Sequence, residues 1–358
     1  MLSQVADRSE LISYLNTTYI THAKKPLLKT LLFNVQIIPE QLIEIIEKRH
    51  DLRDIYDASL NSLDKNLFLM RVRKKFKNKS VGGYITIDTS NKDIWIIITD
   101  EKGYFVRFVV ESLFNKLYPK ISRIYLNTFQ MKFIIKELKD KYKGNIKVNY
   151  ISANIKPRAD TLEISDFDKG TVQRWKIDTE KELDDLSKKY RVIIKQLSFN
   201  IYDEENMPLF ICYISRNAIC KLQFGLYNKF NNEIISLIIK IGYTLKRFYS
   251  NRERYLVNGE AELKPIQIEY KTHFNQKQLK ILEQNIHNKY LTLMVYSGNP
   301  YFAVNISDHD DGSSYGLTVL KNLVTITPIV KASSESLWKL SNTVQEILGD
   351  GEVVNVQT

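Results

Sequence analysis

Residues 84–98 read Tyr-Ile-Thr-Ile-Asp-Thr-Ser-Asn-Lys-Asp-Ile-Trp-Ile-Ile-Ile. Two β-rich runs, 84–87 and 94–98, flank a polar stretch of turn-forming residues at 88–93, which is the pattern of a β-hairpin. Past the hairpin the period changes. Residues 104–117 bring Phe105, Phe108, Val109 and Phe114 to one face of a helix that Pro119 ends. A short strand at 123–126, an amphipathic helix at 128–143 and, after Gly144, a strand at 146–151 follow. Strands exchanging with helices in this way predict an α/β or α+β domain.

Upstream, residues 1–64 read as helical, with Leu11, Tyr14 and Leu15 at helical spacing and Pro39 placed to start a helix whose Leu42, Ile45 and Ile46 share a face. Downstream, residues 153–190 turn polar and acidic, with Pro157 early and a short connecting helix near 178–190. The rest alternates again: strands at 191–202 and 209–224 around the turn Ser215-Arg-Asn217, then a helix capped by Asn232 and running to about Tyr249. After these come a strand at 265–270, a helix at 276–287, a hairpin at 291–306 around Gly298-Asn-Pro300, a strand at 323–329 and a last helix at 334–348. The expected class is α+β, with two domains, each a mixed or antiparallel sheet with packed helices, after a helical N-terminal segment. The expected divisions are 1–64 (helical), 65–152 (basic α+β), 153–190 (linker) and 191–358 (near-neutral α+β). Residues 84–151 and 291–354 each set a hairpin before a helix and return to a strand, which hints at an internal repeat.

With 358 residues and 44% hydrophobic content, the chain suffices for two cores. The N-terminus carries Asp7, Arg8 and Glu10 where a signal peptide needs an apolar run, and no stretch approaches a membrane span, so a cytoplasmic location is expected. Cys212 and Cys220 lie in an apolar strand-turn-strand stretch without metal-ligand spacing and read as small buried hydrophobes.

The charge is unevenly distributed. Of 52 Lys and Arg against 41 Asp and Glu, residues 65–150 hold 19 basic and 7 acidic, and residues 151–358 hold 26 and 25. A surplus confined to one region is a field for a polyanion. Two elements carry it. Arg71, Arg73, Lys74, Lys75, Lys77 and Lys79 surround Phe76, suiting a strand or loop that follows a sugar-phosphate backbone and stacks one base. On the 128–143 helix, Lys132, Lys136, Lys139 and Lys143 fall within about 60° of one another beside the apolar stripe Met131, Ile135, Leu138 and Tyr142. Such a lysine ridge contacts phosphate without reading bases. A weaker cluster, Lys246, Arg247, Arg252 and Arg254, fits a helix C-terminus equally well.

Catalytic patterns are thin. Glu262-Leu-Lys264 and Glu269-Tyr-Lys271 match the Glu-x-Lys spacing of Mg²⁺-dependent nucleases, with Glu262, Glu269 and Lys271 as candidates, but that chemistry needs a further acid on a neighbouring strand. Gly312-Ser-Ser-Tyr-Gly316 has the nucleophile-elbow spacing, yet no histidine follows it and residues 317–329 read as strand. Asp308-His-Asp-Asp311 reads as a polar hairpin exit. The leading expectation is a noncatalytic nucleic-acid-binding accessory subunit, without cofactor or metal, whose second half docks a protein partner. Its Lys- and Ile-rich, motif-poor composition suggests a prokaryotic antiviral defence or mobile-element complex, beside a nuclease or Argonaute-type effector. The alternatives are the nuclease, and an interaction protein for an acidic protein or anionic membrane.

Overall fold

The computed structural model describes residues 2–21, 27–76, 79–143, 145–157, 173–177, 185, 190–205, 207–251, 255–257, 260–262, 264–287, 289–297 and 301–354. It is α+β, with two large antiparallel sheets and seven helices among these residues. The chain forms two compact units: Met1–Leu126 with Gln130–Tyr150 and Gln196–Gly242, and Asn127–Phe129 with Ile151–Lys195 and Tyr243–Thr358.

Unit 1 opens with helix α1 (Arg8–Thr21), strand β1 (Leu28–Val35), helix α2 (Glu40–Lys48) and strand β2 (Ile55–Asp64). The segment expected to be helical thus contributes two helices and two strands. All eight residues of β1 are buried, Lys29, Thr30 and Asn34 among them, so both faces are covered and the alternation that marks a half-exposed strand is missing. Strands β3 (Leu67–Phe76), β4 (Lys79–Asn91) and β5 (Ile94–Thr99) continue from β2 as a meander. One row across it runs Phe68, Ile87, Ile97, Leu31, because β5 returns to pair with β1. Helix α3 (103–116) then leads to β6 (Ile121–Arg123), which pairs with the end of β1.

Helix α4 (Thr128–Lys141) and strand β7 (Ile146–Pro157) follow; residues 151–155 of β7 pair with β8 (Gln173–Ile177). Strands β9 (Tyr190–Tyr202), β10 (Pro208–Ser215) and β11 (Ile219–Gly225) come next, and β11 pairs with the start of β1, Leu28 opposite Leu222. That pairing brings 196–242 into unit 1, away from the second domain to which the sequence assigned it. Helix α5 (227–250) starts before Asn232, which lies inside it and does not cap it. The main core lies between the sheet and α2 and α3, where Phe33, Met70, Ile87, Trp95 and Ile97 meet Leu42, Phe105, Val109 and Phe114. Cys212 and Cys220 are buried and free, and burial pushes both thiols up.

In unit 2, β12 (Tyr255–Val257) and β13 (Glu260–Glu262) form a small hairpin. Strand β14 (Ile266–Glu269), helix α6 (Gln276–His287), strands β15 (Leu291–Ser297), β16 (Tyr301–Ser307), β17 (Ser314–Leu320) and β18 (Leu323–Val330), helix α7 (Ser334–Leu348) and strand β19 (Glu352–Val354) complete it. Its sheet order is β15-β16-β17-β18-β14-β19, and the corresponding part of unit 1 runs β2-β3-β4-β5-β1 with β6 also on β1. Each has a strand, a helix, a four-strand meander whose last member returns to the first strand, a second helix, and a short closing strand. A repeat is present as connectivity, with other bounds than the hinted 84–151 and 291–354: it spans 28–123 and 266–354, starting earlier in both copies and, in the first, closing at β6 rather than at the strand after α4. The short helix expected near 178–190 falls outside the described residues except at Asp185.

Candidate nucleic-acid interface

The charge asymmetry survives the actual division of the chain: unit 1 holds 30 Lys and Arg against 20 Asp and Glu, unit 2 holds 22 against 21. Strand β3 sends its cations to two faces, because successive side chains of a strand alternate. Arg71, Arg73 and Lys75 share one face, where Asp57 on β2 takes Arg71 at 2.9 Å and Arg73 at 3.5 Å. Lys74 points to the other face and is buried, its ammonium 3.0 Å from Asp54 and 2.8 Å from the Ser112 hydroxyl. It is therefore held in a partly buried ion pair and leaves the set of phosphate contacts predicted from sequence. Lys75 and Lys79 remain exposed, and Lys77 lies outside the described residues.

Phe76 shares the Lys74 face, and there helix α3 meets it. The Phe76 ring lies 5.3 Å from Phe108 and 6.4 Å from Tyr104, and Tyr104 and Phe108 are 4.5 Å apart. Arg107 sets its guanidinium 5.4 Å from the Phe108 ring centre, a cation–π distance. Tyr104 is 45% exposed and Phe76 and Phe108 are half-buried, so the three rings make a surface aromatic corner. Lys79, directly across the ladder from Phe76, and exposed Lys102 at the helix start flank it.

The helix reaches this arrangement through a local widening. A π-turn at Val106–Val110 shifts the phase of α3, so Phe105, Val106, Val109, Val110, Leu113 and Phe114 face the core. Phe108, expected inward with them, turns toward Phe76 and Tyr104. Tyr104 and Arg107 were not among the sequence candidates; the available signal was that both fall off the apolar stripe of a helix adjoining a basic hairpin.

The lysine ridge is smaller than its spacing implies. Met131, Ile135 and Leu138 are buried as expected, and burial, with Glu233, pushes the half-buried Tyr142 phenol up to about 12. Lys136 is exposed, whereas Lys132 and Lys139 are half-buried and engaged with neighbours. Lys143 is exposed but stands past the helix end at φ +48°, out of line with the others. Lys141, not counted in the ridge, pairs with Glu233 at 2.5 Å.

Glu269 ends β14 exposed, opposite Glu352 of β19, and Lys271 is exposed beyond it; the Glu262 side chain lies outside the described set. Among the described residues no three His, Cys, Asp or Glu side chains are grouped as metal ligands would be. Gly312–Gly316 runs into β17, so no helix follows Ser314 as a nucleophile elbow requires. Of the weaker cluster, Arg252 and Arg254 lie outside the described residues. No helix among the described residues is long and apolar enough to cross a membrane. No protein-family model matches the chain, and no curated protein matches it in sequence.

Proposed function

We propose that this chain is a noncatalytic subunit that holds single-stranded nucleic acid at the corner where β3, β4 and α3 meet, and that it works beside a protein partner docked on unit 2. The observation that carries this reading is the exposed Tyr104 ring in contact with Phe76 and Phe108 inside the unit that holds nearly all the positive surplus. Aromatic faces accept unstacked bases and the surrounding cations accept phosphates, a combination that tolerates any sequence. Bases paired inside a duplex do not offer their faces, so a single strand suits the corner best. Composition supports a setting in a prokaryotic defence or mobile-element complex.

The nuclease reading keeps one supporting observation, the carboxylates of Glu269 and Glu352 at directly paired positions on adjacent strands. Cleavage that disappears in Glu269→Ala/Lys271→Ala while binding persists would establish it.

The test is fluorescence anisotropy with labelled single- and double-stranded DNA and RNA across a salt series. The expected result is preferential single-strand binding whose logarithm falls linearly with log salt. Absence of binding at low salt overturns the proposal and leaves the basic surface to an acidic protein or anionic lipid.

A further inference from the structure

The two units repeat one β-α-β₄-α-β connectivity, so a place in one copy has a counterpart in the other. The aromatic corner of unit 1 lies where the paired ends of the second and third meander strands, Phe76 of β3 and Lys79 of β4, meet the helix that follows the fourth. In unit 2 that place is the loop 308–313 between β16 and β17, facing the start of α7. Counted from the first residue of each helix, Tyr104 and Phe108 correspond to Glu335 and Lys339. Two rings are replaced by two charges.

The counterpart is closed by hydrogen bonds. Asp308, 1% exposed, accepts from Lys339 Nζ at 3.1 Å on both oxygens, from Ser336 Oγ at 3.0 Å and from the Asp310 backbone N–H at 3.1 Å. Lys339 also reaches Asp310 at 3.0 Å. The Asp311 carboxylate accepts from Ser313 N–H at 2.8 Å, Ser313 Oγ at 2.9 Å and Ser333 Oγ, and Ser333 in turn accepts from the Ser336 N–H at 3.3 Å as the N-cap of α7. Every carboxylate of the Asp308–Asp311 stretch is thus tied into the loop or to α7. The place holds four acids, Asp308, Asp310, Asp311 and Glu335, against Lys331 and Lys339, whose ammonium groups are bound to the Asp311 carbonyl and to the Asp308 and Asp310 carboxylates, and the loop's one ring is the exposed His309. A strand of nucleic acid would find there a net negative border and no cluster of rings like that of Phe76, Tyr104 and Phe108.

We infer that the chain holds an internal duplication of one module, 28–123 and 266–354, in which only the first copy keeps an open corner, the second having converted the same place into a polar lock on its own helix, so that one chain takes up one nucleic-acid strand. This rests on the nucleic-acid reading of unit 1. It is tested by native mass spectrometry of the full chain with a single-stranded oligonucleotide of about six nucleotides, short enough to fill one site, at about 50 mM salt. The expected result is one oligonucleotide per chain at saturation, none bound at the same concentration by Tyr104→Ala/Phe108→Ala, and affinity within twofold of wild type for Lys339→Met, whose melting temperature falls. Two oligonucleotides per chain, or a Lys339→Met variant that loses bound strand while still showing a native circular dichroism spectrum, overturns the single-site inference and leaves the reading of unit 1 standing. A wild type that binds none removes both.

Discussion

Phe76, the last residue of β3, and Phe108, in the π-turn of α3, hold their ring centres 5.3 Å apart across the face of the sheet. The contact ties the tip of a long hairpin to the helix, and it gives Tyr104 a second ring to lean on. Phe76 and Phe108 therefore support the corner while Tyr104 presents it.

That division of labour predicts different outcomes for the three rings. Tyr104→Ala removes an exposed side chain and should leave the melting temperature nearly unchanged, while single-strand affinity falls by roughly 5- to 150-fold, the range of one lost base stack. Phe76→Ala should lower both. Anisotropy and thermal melts on the same preparations separate the two, and an unchanged affinity for Tyr104→Ala would remove the corner as a base-stacking site.

The ridge carries a smaller prediction than four lysines one turn apart suggest. Each phosphate contact on a single strand contributes about 0.7 to the log–log salt slope. Only Lys136 and Lys143 of the four stand exposed. Lys136→Gln/Lys143→Gln should make the slope shallower by about 1.4, and extending the change to Lys132 and Lys139 should add little. A drop of about 2.8 for the quadruple variant would show that all four reach phosphate.

Arg8 on α1 grips Asp88 of β4 with both terminal nitrogens, at 2.6 and 3.0 Å. Burial works against the Asp88 charge, but the hydrogen bonds from Arg8 and Ser90 outweigh it and hold the carboxyl below its ordinary range. A depressed folded-state pKa means stability present above the unfolded value and lost as pH falls through the folded one. Arg8→Met should cost about 2 kcal/mol at neutral pH, the half-exposed arginine limiting the loss. The gap to wild type should close below about pH 4. Denaturant melts between pH 3 and 7 check the convergence; a constant gap would mean that packing, not charge, is what Arg8 contributes.

The elements legible in the sequence carried a stripe or a turn signal of their own. Helix α6 begins and ends where its apolar stripe does, with exposed residues opposite, and the 84–98 hairpin is marked by its polar turn although all six residues of β5 are buried; α7 was read at its bounds although none of its residues is exposed. Strand β1 was illegible because both its faces are covered, and so was its pairing with β11, since Leu28 and Leu222 meet only through tertiary structure. The site followed the same rule. Phe76 stood out within a basic run, whereas Tyr104 acquires meaning only when α3 is laid on the sheet, and the π-turn that exposes Phe108 leaves no periodic trace.

Lys74 separates charge that is counted from charge that is available. In the run from Arg71 to Lys79 it looks like its neighbours, yet its side chain is only 10% exposed and held between Asp54 and Ser112. Lys116 approaches the same carboxylate at 3.8 Å, so Asp54 keeps a partner if Lys74 is lost. Lys74→Met should therefore destabilise by about 1–2 kcal/mol, the loss of a partly buried charged hydrogen bond, and leave the salt slope of nucleic-acid binding unchanged. Lys79→Gln, on the exposed position across from Phe76, should do the reverse: stability constant within about 0.5 kcal/mol and the slope shallower by about 0.7. Denaturant melts and salt titrations on the two variants decide it, and a shallower slope for Lys74→Met would mean that the ion pair with Asp54 opens to a phosphate when a strand binds.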